Sequence, residues 1–144
     1  KRGRIVGLQL TRGAEYAVRA MTYLADVPEG RVAALRDIGQ AKDIPESFLA
    51  KILQSLVRAG LATSYRGARG GFTLARDPGE ITVRAVIEAI DGPIALNSCV
   101  LDPGACERSG RCRMHGVWVE AQDRMMSVLD GVTLAGLRTD AAVV

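Results

Sequence analysis

One stretch limits the possible folds more than any other: PESFLAKILQSLVRAGLATSYRGARGGFTLAR, residues 45–76. Its first half carries apolar Phe48, Leu49, Ile52, Leu53, Leu56 and Val57 at helical spacing, one wide stripe of an amphipathic helix. Pro45 suits the first turn of that helix and Gly60 its C-terminal cap. Ser47, Lys51, Gln54 and Arg58 follow one another at offsets of 4, 7 and 11 and so occupy the opposite face, which holds no acid after Glu46. Leu61–Arg66 and Gly71–Ala75 then read as two short strands around a Gly/Arg tip.

The segments on either side extend this unit. Thr11 is a plausible N-cap for TRGAEYAVRAMTYLAD, in which Ala14, Ala17, Val18, Met21 and Leu24 recur at three- and four-residue steps before Pro28 and Gly30 end the helix. A second short helix is expected over residues 32–44, with Leu35 and Ile38 buried. Helix, helix, turn, helix and basic β-hairpin is the order of a winged helix-turn-helix, whose third helix enters the major groove while the hairpin touches backbone or minor groove. A small helical domain with a flexible hairpin would give a similar pattern. Charge favours DNA: residues 1–76 hold 13 Lys/Arg against 6 Asp/Glu, whereas residues 77–144 hold 6 against 10. Ser47, Lys51 and Gln54 are expected at base edges or phosphates. Arg58 and Arg66 are expected at the backbone or minor groove, with Arg69 and the tip glycines, Gly70 among them, allowing close approach.

Beyond the hairpin, TVRAVIEAIDGP predicts a helix that buries Val83, Val86, Ile87 and Ile90 and stops at Gly92 and Pro93. A last helix is marked by Met114, Val117, Trp118, Ala121, Met125, Val128 and Leu129. It lies past the winged unit, so its stripe needs another surface, and a second copy of the chain is the expected one. Packing back on its own domain is the alternative. The expected fold is mainly α with a small β-hairpin. A winged helix-turn-helix covers residues 8–80, and residues 81–135 supply a linker helix, a cysteine loop and a long C-terminal dimerisation helix.

With 48% apolar and 24% charged residues, 144 residues suit a folded, soluble protein. No apolar run approaches the roughly eighteen residues of a membrane span. The basic start KRGRIVGLQLT lacks the continuous apolar region of a secretory signal. The cytoplasm, where thiols stay reduced, is the expected compartment.

All three cysteines and the single histidine sit in SCVLDPGACERSGRCRMHG, residues 98–116. An odd number of cysteines argues against a closed disulfide framework. Cys99, Cys106, Cys112 and His115 are separated by six, five and two residues, wider than the spacing that usually opens a zinc finger. A Gly- and Pro-containing loop of this reach suits something larger than one ion, and thiolates bind iron–sulfur clusters. Zinc held by the three cysteines and the histidine, or a thiol-only redox switch, satisfies the same composition. Catalysis fits poorly. No base stands beside a nucleophile, and Gly67, Gly70 and Gly71 lie in a hairpin rather than between a strand and a helix.

LTRGAEYAVRAMTYLA, ESFLAKILQSLVRAGLATSYRGARGGFTLAR, ITVRAVIEAIDG and the cysteine loop occur in that order. Together they resemble the IscR/NsrR family of bacterial winged-helix iron–sulfur regulators over residues 8–135. The resemblance implies a homodimer crossed through the C-terminal helices, a double-stranded DNA operator as partner, and a cluster held by Cys99, Cys106 and Cys112. It offers two fourth ligands. His115 matches the ligand of members with a 2Fe–2S cluster, and Glu15 matches a carboxylate donated across the dimer in members with a 4Fe–4S cluster. Glu15 would otherwise be a solvated first-turn acid favoured by the helix dipole. Six residues separate Cys99 from Cys106, one more than in several members of that family. The function so implied is a transcription regulator, read as a repressor, whose operator binding answers to iron, nitric oxide or redox state.

Overall fold

The computed structural model describes residues 10–96 and 113–138. Thr11 opens α1 (Arg12–Asp26) with extended backbone, and its hydroxyl accepts the Ala14 N–H at 3.1 Å. Ala14, Ala17, Ala20, Met21 and Leu24 are buried along one face, and the three alanines let neighbouring helices come close. α2 (Leu35–Lys42) is shorter than its apolar pattern suggests. Ala33, expected inside it, instead exchanges two backbone hydrogen bonds with Phe72, at 3.0 and 2.8 Å, and so adds a rung to the hairpin. Asp43 ends α2 at φ 57°, a left-handed conformation that Asp tolerates better than most residues.

Three residues later α3 (Glu46–Arg58) begins. Pro45 stands at its N-cap, one place earlier than expected, and its carbonyl accepts the Leu49 N–H at 2.9 Å. Gly60 follows the last turn at φ 80° and donates to the Val57 carbonyl, as its capping role requires. Leu49, Ile52, Leu53 and Leu56 are buried against α1, α2 and the hairpin, and each fully buried side chain contributes about 1.5–3 kcal/mol. Phe48 departs from the expected stripe. It is 39% exposed and meets the Tyr16 ring edge-on, with 5.2 Å between centroids.

β1 (Ala62–Tyr65) and β2 (Gly71–Leu74) pair antiparallel, from Ala62 with Leu74 to Tyr65 with Gly71. Thr82 then caps α4 (Val83–Asp91), its hydroxyl accepting the Ala85 N–H at 3.0 Å. α4 packs along α1 and α3 with Val86 and Ile87 buried, whereas Val83 and Ile90 are only partly covered. The Asp91 carboxylate accepts both the Thr11 N–H and its hydroxyl, which ties the end of α4 to the start of α1.

α5 (His115–Gly131) lies against α4 and differs most from the sequence pattern. Its buried residues are Gln122 and Met126, with Met125 and Leu129 partly covered. Met114 just before it, and Val117 and Val128 within it, are 43%, 51% and 66% exposed. The contact with α4 is one helix wide, so it covers only part of the apolar stripe. Ala14, Ile87, Ile94 and Met126 form a second, smaller core there. Arg84 bridges the two helices, donating to Asp130 at 2.9 Å and to Glu88 at 3.3 Å. The hydrogen bond to Asp130 is the main cause of its raised pKa. Past α5, Val83 donates to the Val132 carbonyl at 2.9 Å and Leu134 to that of Ile81 at 3.0 Å. The chain thus returns to the main core, where Leu134 is fully buried.

Candidate nucleic-acid interface

The helix-turn-helix is built from α2, the turn of residues 43–45 and α3. Its exposed side carries all four residues expected there: Ser47, Lys51, Gln54 and Arg58 are solvent-facing. Ala50, Lys51, Gln54, Ser55 and Arg58 line a shallow groove along this face. Arg58 donates to the Ser55 hydroxyl at 3.1 Å, which steadies the guanidinium over the last turn. The apolar side of α3 is locked in the core, so the helix can present only this side to a partner.

Arg19, not singled out in the sequence, is an exposed cation of α1 joined to α3 through an aromatic pair. Its guanidinium lies 5.3 Å from the Tyr16 ring centroid, and Tyr16 in turn meets Phe48 of α3. It also donates to the Lys42 carbonyl at 3.3 Å and pairs with Glu15 at 3.7 Å. The aromatic pair at positions 16 and 48 was the available signal. It lies on two helices far apart in sequence, and only the fold makes it a pair.

At the hairpin tip Arg66 and Arg69 are exposed and Gly70 is half-buried. Gly70 donates to the Gly67 carbonyl at 2.9 Å, and a Cβ on it would stand 2.3 Å from the Tyr65 carbonyl oxygen. The tight turn itself therefore demands glycine at position 70. Tyr65, half-exposed beside the tip, is a further contact candidate that charge counting passed over. Helix face and wing together offer hydrogen-bonding groups for base edges, and guanidinium and ammonium groups for phosphates.

Cys99, Cys106 and Cys112 lie outside the described residues. Of the two candidate fourth ligands, Glu15 is 54% exposed on α1 and held in its ion pair with Arg19. His115 is the first residue of α5, and its Nδ1 is buried with no hydrogen-bond partner among the described residues. No hydrogen bond or ion pair joins Glu15 to His115, and no three His, Cys, Asp or Glu side chains gather into a metal site among the described residues. Nor is any described helix long and apolar enough to cross a membrane.

The fold and sequence have named counterparts. The Rrf2 family pattern, described as that of iron-dependent transcriptional regulators, matches residues 10–140. The HTH-type transcriptional regulator IscR of Aliivibrio salmonicida is 35% identical over 136 residues, 94% of this chain and 80% of its own. IscR of Cronobacter sakazakii is 34% identical over 130 residues, 90% of this chain and 80% of its own. Among solved structures, CymR, the global cysteine regulator of B. subtilis, superposes with a TM-score of 0.76 at 29% identity, covering 92% of this chain and 98% of that one. IscR of T. potens superposes with a TM-score of 0.71 at 30% identity, covering 94% and 89%. With a helix-turn-helix, a wing and this match over nearly its whole length, the chain belongs to the Rrf2 family and is a DNA-binding transcription regulator rather than an enzyme.

Proposed function

We propose that this regulator is a dimeric repressor whose operator affinity is set by an iron–sulfur cluster on Cys99, Cys106, Cys112 and His115. The observation that carries the choice of ligand is the buried Nδ1 of His115, which has no hydrogen-bond partner among the described residues. An unsatisfied buried nitrogen costs about 1–3 kcal/mol, and coordination removes that cost. Three thiolates and an imidazole are a donor set that iron–sulfur centres accept. Glu15 is already engaged by Arg19, so recruiting it as a 4Fe–4S ligand means giving up that pair. When bound, the cluster supplies a centre that iron shortage, nitric oxide or oxidants can dismantle.

The chain's own residues do the reading. Lys51, Arg58, Arg66 and Arg69 meet phosphates, while Ser47 and Gln54 reach base edges, and Gly70 keeps the wing tight against the duplex. Exposed Val117 and Val128 on α5 and Met114 beside it form the apolar surface that a second copy covers. A two-fold pair of α3 helices then matches a two-fold operator.

An anaerobic absorption spectrum with iron, sulfide and zinc analysis on the same sample tests this. Iron with sulfide, lost in Cys106→Ala together with a change in operator affinity, is the expected result. Likeness to the cysteine regulator CymR favours a second reading, in which the thiols act alone as a redox switch. It requires operator binding that follows thiol oxidation in a sample free of iron and sulfide. Stoichiometric zinc without sulfide would make the segment a structural clasp.

A further inference from the structure

A cavity of about 520 Å³ lies beside the wing, and no residue of α3 or α5 lines it. Its walls come from three parts of the chain: residues 24–31 at the end of α1 and after it, residues 72–78 of β2 and its exit, and Ala135 and Arg138 from the segment that returns after α5. The volume falls within the roughly 300–1,000 Å³ of small-molecule sites. Leu24 and Phe72 on the walls are buried, and Val27 and Leu74 are partly covered, so one side of the cavity is apolar.

The polar groups on the walls are mostly donors. Arg31, Arg76 and Arg138 outnumber Glu29 and Asp77, and the Asp77 carboxylate already accepts the Gly79 N–H at 2.8 Å. The Arg31 and Arg76 side chains are exposed and have no hydrogen bond or ion pair among the described residues. β2 adds a backbone donor. Phe72 exchanges both of its backbone hydrogen bonds with Ala33, on the side away from β1. Successive strand residues alternate in direction, so the N–H and C=O of Leu74, two places on, point to that same side. No described backbone group meets the Leu74 N–H there. Two uncommitted guanidiniums and an open N–H beside apolar side chains form a donor set for a carboxylate, held by charge-assisted hydrogen bonds.

We propose that this cavity binds a small organic carboxylate with an apolar body, and that its occupancy adjusts operator binding through the wing. β2 is both a wall of the cavity and the strand that leaves the wing tip, so a ligand bridging Arg31 to Leu74 and Arg76 ties the wing to the end of α1. The site uses none of the cysteines and stands whether the thiols hold a cluster or act alone. Its coupling to the operator rests on the wing reading above. By linkage, the operator changes the affinity for the carboxylate by the same factor as the carboxylate changes the affinity for the operator.

Phenylacetate titrated into the full chain, followed by backbone amide NMR, tests the site, with phenylacetamide as the uncharged control. Saturable binding with a Kd of about 1 mM or tighter is expected, with shifts centred on residues 29–31 and 72–76. The amide is expected to bind at least tenfold more weakly. Arg31→Gln with Arg76→Gln is expected to keep the thermal melt and to weaken phenylacetate at least tenfold. If the double variant does not fold, either single substitution decides, with a severalfold loss expected. Equal binding of acid and amide, equal binding by the variant, shifts confined to α5, or no saturation by about 10 mM overturns the site. Phenylacetate is also expected to change operator affinity severalfold in the wild type and not in the variant. Carboxylate binding with an unchanged operator affinity overturns the coupling. Arg66→Ala lies outside the cavity, so an unchanged operator affinity there overturns the wing reading and the coupling with it, while the titration still decides the site.

Discussion

Gly70 carries one demand that the structure shows, a wing turn with no space for a Cβ, and a second that is proposed, the close approach of the tip to a duplex. Gly70→Ala forces the Tyr65 carbonyl aside and should cost about 1–3 kcal/mol. Urea unfolding measures the stability, and the operator affinity should fall with it because Arg66 and Arg69 lose their common base. Leu134 makes the corresponding case for the C-terminal segment. It is fully buried in the main core although it follows α5, the helix farthest from that core in sequence. Leu134→Ala should destabilise the whole chain by about 2–5 kcal/mol in the same unfolding assay. A loss well under 1 kcal/mol would mean that the return to Ile81 adds nothing to the fold.

At the scale of elements, α3 divides its work by face. Its inner face is core, so substitutions on the outer face should leave stability alone and change only binding. Lys51→Ala, at the position proposed to meet a phosphate, should weaken binding to all duplexes alike and lower the salt slope by about one. Gln54→Ala, at the position proposed to reach a base edge, should cost about 1–3 kcal/mol on the operator and little on random DNA. Fluorescence anisotropy across a salt series separates the two. If both variants behave alike, the register of α3 in the groove is not the one described. The Thr11 cap of α1 and the turn at Gly60 were legible in the sequence because each is a local arrangement of a few neighbouring residues. Ala33 was not legible in that way. Its partner is Phe72, and a residue of good helix propensity joined the hairpin because two backbone hydrogen bonds were available there.

For the whole molecule, the deciding feature is the apolar surface at and beside α5 that α4 leaves open. Val128→Glu places a charge in that surface without touching the buried Met126. In the proposed dimer it should shift sedimentation towards the monomer and lower operator affinity by at least tenfold, since one reading head would replace two. A variant that still sediments as the wild type, with unchanged affinity, would remove α5 from the dimer contact. Within the chain, Arg84, Asp130, Asp91 and Thr11 link α5 to α4 and α4 to α1, so a displacement of α5 bears on the helix that supports α3.

The sequence by itself determined the winged helix-turn-helix, its exposed basic face and the gathering of thiols with the one histidine. These depend on periodicity, turn chemistry and spacing, which act over a few residues. Tertiary structure alone decided which residues of an apolar stripe become core. Phe48 turns outward to Tyr16, the stripe of α5 splits between a covered and an open side, and a glutamine is buried where leucine would fit the pattern. Burial depends on which element lies opposite, and hydrogen-bond satisfaction depends on which backbone arrives there. In the case of Gln122 that backbone belongs to residues 94–96, more than twenty positions away in sequence.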